Sequence, residues 1–129
     1  MPGIYYGWPK NVLHRVGIQQ SIVDINATVP FNLAIVDGIV GMEGDGPIRG
    51  EAKPAGVLVM GKRLPSVDAT CARIMGIRVD AVDYLLAASA EGLGPVRQAH
   101  VDQRGASIAD VRTPFAISPA PHLQKYAGG

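Results

Sequence analysis

Several of the features that most simply announce a function are scarce or missing in this chain. Cys71 is the single cysteine. One thiol makes no internal disulfide, and from this chain alone it cannot supply a four-thiolate zinc site or an iron–sulfur cluster. An unpaired thiol suits a reducing compartment, so a cytoplasmic location is expected. Excess charge of one sign is also missing. Twelve lysines and arginines stand against eleven acids, a formal charge of +1 and a pI near 7.9. That balance argues against nucleic acid or an anionic membrane as a partner held by bulk charge. No apolar run approaches the ~18 to 20 residues of a membrane span. Met1 to Lys10 lacks the charged-then-apolar order of a signal peptide. His14, His100 and His122 stand apart, with no pair at metal-ligand spacing.

What is present fits one globular domain over residues 1–129: 47% of the residues are hydrophobic and 18% charged. Sixteen glycines and ten prolines make up about a fifth of the chain, well above ordinary usage. They gather in particular stretches and read as turns, not as low complexity.

Ile18, Ile22, Ile25 and Val29 recur at helical spacing, which predicts a helix over 16–27 that Pro30 ends. Two nearly continuous apolar runs, 31–37 and 56–61, read as strands covered on both faces. A helix from Ser66 to Gly76 has Ser66 as cap and Val67, Cys71, Ile74 and Met75 as its apolar stripe. A second, from Asp80 to Gly92, has Asp80 as cap and Asp83 in the first turn, where the helix dipole favours acid. Weaker patterns suggest strands at 99–103 and 108–111. The tail 113–129 carries Pro114, Pro119 and Pro121 and reads as wrapped on the surface or mobile. The opening segment, Tyr5 to Lys10, reads as a loop. Together these give an α/β or α+β fold, a layered sheet of buried strands with helices packed on it. The two strands have no helical crossover between them, so an antiparallel pairing, or pairing elsewhere, is expected.

The stretch 37–50 joins them. It reads Asp-Gly-Ile-Val-Gly-Met-Glu-Gly-Asp-Gly-Pro-Ile-Arg-Gly, three carboxylates and five glycines within fourteen residues. Read as a loop at the end of a buried strand, it is a candidate ligand site. Asp37, Glu43 and Asp45 suit a hard divalent cation. The amides of Gly38, Gly41, Gly44 and Gly46, with Arg49, suit a polar small molecule instead. Glu43 is the candidate acid–base residue, and Asp68 is a further acid from the next helix. The bland reading is a glycine-rich turn whose acids are solvated or cap backbone amides. For Asp68 the bland reading is a favourable place near a helix start. No Gly-Lys-Ser/Thr follows the glycines, and dinucleotide and EF-hand spacings are absent. Cys71 reads as a buried, inert thiol.

The string Asp37 to Pro47 with Gly50, then Pro65 to Ala69, Arg73 to Gly76, Gly92-Leu93-Gly94 and Gly105, resembles the signature of the domain of unknown function family 362. The resemblance implies a cytoplasmic α/β domain of largely unassigned activity, with this chain as the C-terminal part of the family domain. Some relatives carry ferredoxin-like cysteine motifs, which this chain does not match. Two functions follow as expectations. In the first, 37–50 binds a divalent cation or polar ligand, with Glu43 as the candidate catalytic residue. In the second, the chain is a non-enzymatic accessory or interaction domain of an iron–sulfur or redox system, and the acidic stretch is a structural clasp. Partners would then be a second copy or a chain supplying the preceding region.

Overall fold

The computed structural model describes residues 8–128, with the side chains of 8–11 left undescribed. Gly17, at φ 122°, separates α1 (Trp8–Val16) from α2 (Ile18–Thr28), where the sequence predicts one helix over 16–27. A backbone conformation that a side chain would resist breaks the helix there. Trp8 to Lys10 open α1 instead of forming a loop; proline is tolerated in a first helical turn because its missing N–H has no partner there anyway. Residues 5–7 of the expected loop lie outside the described residues.

The largest departure follows. The stretch 37–50 is not a loop. It is most of a long antiparallel hairpin, β1 (Ala34–Asp45) and β2 (Arg49–Gly61), turning through Gly46-Pro47-Ile48. The antiparallel alternative is the one adopted. Ile35 faces Met60, Asp37 faces Leu58 and Glu43 faces Glu51 across the ladder. A bulge sets Ala55 and Gly56 opposite the lone Ile39, and Gly56 takes φ 67° to allow it. Of the glycines that read as loop punctuation, Gly38, Gly41, Gly44 and Gly50 are strand residues and Gly46 opens the turn; another group comes close at Gly38, Gly41, Gly46 and Gly50.

The expectation of strands covered on both faces is corrected as well. Among the described residues the sheet has two strands, and helices lie on one face only. Val36, Val57 and Val59 point inward, and Gly61 lets β2 approach α3 (Leu64–Ile74); a Cβ there would sit 2.8 Å from Val67 Cγ2. The opposite face is exposed at Ile35, Leu58 and Met60.

Arg63, not Ser66, is the N-cap of α3, because Pro65 is accepted in the first turn. Ser66 lies inside the helix and donates its hydroxyl to the Pro95 carbonyl at 2.6 Å. Gly76, at φ 71°, ends α3, with Ile77 N–H donating to the Ala72 carbonyl. Asp80 caps nothing: residues Val79–Ala81 form a 3-10 turn, and α4 (Asp83–Ala90) starts after Val82. Asp83 occupies its first turn as expected. Ala69 of α3, Leu85 of α4 and Val96 form the core, at 0, 1 and 6% exposure, with Val79, Val82 and Tyr84 around them. α2 packs on α4 and buries Ser21, Val23 and Ile25.

The two weaker strands are helical turns instead, a 3-10 turn at Gln98–His100 and α5 at Ile108–Val111. Ser107 caps α5 by accepting the Asp110 N–H, a local bond that outcompetes an unpaired strand. The tail binds the body. Thr113 and Phe115 donate N–H bonds to the Ile74 and Met75 carbonyls, and Arg78 donates to Tyr126. No helix among the described residues is long and apolar enough to cross a membrane.

Candidate functional site

The residues singled out from the sequence lie along the hairpin and on α3, and different segments of the chain contact them. Asp37 is on the outer face, where its carboxylate accepts the Ile39 N–H at 3.0 Å, beside the bulge. Glu43 is half-buried beneath the tail. One oxygen accepts the Ala116 N–H at 2.8 Å and stands 3.3 Å from the Lys53 ammonium. Asp45, near the tip, accepts the Ser118 hydroxyl at 3.2 Å. Asp68 turns away from the hairpin and accepts the Tyr84 hydroxyl of α4 at 3.1 Å. The four acids therefore serve four separate local purposes. Among the described residues no group of three or more His, Cys, Asp or Glu is gathered to hold a metal ion.

The glycines serve packing. Gly41 lies under the Phe115 ring, where a Cβ would come within 2.7 Å of two ring carbons. Gly46 and Gly50 make room for the Met42 side chain, and Gly38 for Val57. Gly44, at φ 76°, donates its N–H to the Ala116 carbonyl at 2.8 Å and forms a parallel bridge to Ile117. Arg49 pairs with Asp45 in the ladder and is exposed. The acid–glycine string is thus a bed for residues 115–118. The Ala116 N–H, with Lys53 assisting, holds the Glu43 carboxyl below its ordinary range. An acid kept ionised by its own chain is not poised to exchange protons. Burial pushes Asp68 upward, and burial beside Asp68 pushes Cys71 to about 11, leaving an unreactive thiol.

A feature that sequence reasoning missed lies on the other side of β2. A cleft of about 820 Å³ runs between β2, α3 and the segment 100–106. Residues 56–63 line it consecutively. Successive strand residues face opposite ways, so an unbroken run can line a cleft only when the strand's edge fronts it. Lys62, Arg63, His100 and Arg104 also line it, with Asp102 as the one acid among the described residues, paired to Arg104 at 3.0 Å. The available signal was the adjacent Lys62-Arg63 pair just before a helix start.

A family model, that of a domain of unknown function (DUF362), matches residues 1–73, more than half of the chain. The match takes in the whole hairpin and α3 as far as Arg73; Gly92-Leu93-Gly94 and Gly105 lie beyond it. No curated protein and no solved structure matches the chain.

Proposed function

The chain belongs to the DUF362 family of domains of unknown function, and from that premise we propose that it is a non-enzymatic interaction domain whose hairpin is the docking platform. The observation that carries this reading is the outer face of the hairpin. Ile35, Leu58 and Met60 share it and are 63, 60 and 62% exposed, with Ile39 at 55% next along the same face of β1. Contiguous exposed apolar surface of this kind marks contact with another polypeptide. A lone two-stranded ribbon is also marginal without a further layer, so burying this face adds stability as well as specificity.

The acids support the same reading from the other side. Glu43 and Asp45 bind the chain's own tail, and Asp37 binds its own bulge. The acidic stretch then acts as a clasp that stiffens the platform. Divalent-cation binding at Asp37, Glu43 and Asp45, with Gly38, Gly41, Gly44 and Gly46 as backbone donors to a ligand, calls for carboxylates gathered at one point, and among the described residues no such group is found.

Thermal melts in EDTA and in Mg²⁺, Ca²⁺ and Mn²⁺ test the choice, because a ligand that binds only the folded state must raise its melting temperature. The interaction reading expects no rise with any cation. A rise that Asp37→Asn and Glu43→Gln both remove would overturn it. Sedimentation of the Leu58→Lys/Met60→Lys variant tests the platform itself: the variant should melt like the parent and lose concentration-dependent association.

A further inference from the structure

We propose that the free edge of β2 over Val57 to Gly61 accepts a third strand, an extended segment of a partner polypeptide whose apolar stretch ends in carboxylates. This rests on the interaction reading above and names the partner's chemistry. β1 occupies one edge of β2. Among the described residues, no hydrogen bond from outside the hairpin reaches residues 55–61. Half of the N–H and C=O groups of that stretch therefore point at the cleft without a protein partner. Such groups pair readily with an added strand, which gains main-chain hydrogen bonds whatever its sequence.

The blunting of this edge stops where the cleft begins. The first part of β2 carries Lys53, Pro54 and the bulge at Ala55-Gly56, the devices that keep foreign strands away. From Val57 to Gly61 the sequence is Val-Leu-Val-Met-Gly, with no charge, no proline and no bulge. That is room for about 17 Å of added strand. The segment 100–106 stands opposite and keeps the edge within a cleft.

Charge sets the partner's end. Lys62 and Arg63 follow directly on Gly61; both are exposed, and among the described residues neither forms an ion pair. His100 and Arg104 line the same cleft, and its acid, Asp102, is already paired. Carboxylates just past the apolar stretch of the incoming strand would meet this cationic end. Such complementarity sets register and orientation more than affinity.

The test uses the full chain with two synthetic peptides, alternating valine and threonine ending in two aspartates or in two lysines. Binding is read by fluorescence anisotropy, and amide hydrogen exchange locates it. The aspartate peptide should bind and slow alternate amides within 57–61, those that point away from β1. The lysine peptide and an N-methylated aspartate peptide should fail. Lys62→Glu/Arg63→Glu should weaken binding about tenfold or more at an unchanged melting temperature. Equal binding of both peptides, or binding without protection at 57–61, overturns the proposal. So does protection of those amides in the free protein that grows with its own concentration, which would make a second copy the occupant. Competition by inorganic phosphate or citrate with no peptide protection would make the cleft a small-anion site, and also overturns it. Each of these results leaves the outer-face reading standing, whereas a cation-induced rise in melting temperature removes the ground beneath both.

Discussion

Gly41 and Glu43 show how single residues decide what the acid–glycine string does. The Phe115 ring occupies the space that a side chain at 41 would need. Gly41→Ala should therefore cost about 1–3 kcal/mol in urea unfolding, the ordinary penalty for forcing an extra carbon into a packed contact. In a Phe115→Ala background the same change should cost clearly less, since the pair is coupled. Equal costs in both backgrounds would mean that the ring does not rest there. Glu43 gives a pH dependence with a definite sign. Its carboxyl titrates below the ordinary 4.5, chiefly through the Ala116 N–H, so the folded state prefers the ionised form. That stabilisation is complete above about pH 4.5 and is lost as the pH falls through the lower folded value. The melting temperature of Glu43→Gln should lie below that of the parent at neutral pH and converge on it in acid.

Among the elements, α3 and α4 are joined by Ala69 against Leu85 and by one polar bond, Tyr84 to Asp68. Burial raises the Asp68 carboxyl above its ordinary 3.8, the opposite sign to Glu43. Its charged form is disfavoured on folding, so it subtracts stability as the pH rises through the carboxylate range. Asp68→Asn keeps an acceptor for Tyr84 and removes the buried charge. It should be at least as stable as the parent at pH 7, with the difference fading in acid. Tyr84→Phe leaves the carboxylate without its donor and should cost about 1–3 kcal/mol. A destabilising Asp68→Asn would show that the charge itself has a role. Helix positions were largely legible in the sequence, because apolar spacing and the glycines at 76 and 92 are local signals. Cap positions were less so: Ser66 and Asp80 are good caps in isolation, but Pro65 and the 3-10 turn at Val79–Ala81 move the helix starts away from them.

For the whole molecule, the tail decides whether the hairpin is a platform or a loose ribbon. Residues 113–118 tie α3 to β1 through Thr113, Phe115 and Ala116, and Tyr126 returns to Arg78. Truncation after Arg112 should lower stability by about 3 kcal/mol, from several lost backbone bonds and the uncovered Gly41 surface. It should also speed amide exchange along β1 near Gly44. Truncation with unchanged exchange there would mean that the tail merely lies alongside.

The sequence by itself determined most of the helix-forming stretches, the apolar runs, the single thiol and the near-neutral charge, each of which depends on composition or on neighbours within a few residues. It also marked 37–50 as exceptional, without saying for what purpose. Only the tertiary structure decided that this stretch is strand, that its glycines seat Phe115 and Met42, and that its acids hold residues more than seventy positions further along. The open edge of β2 was likewise invisible beforehand. The physical reason is common to all three: strand pairing and close packing are satisfied by atoms distant along the chain, and no local pattern records which atoms those are.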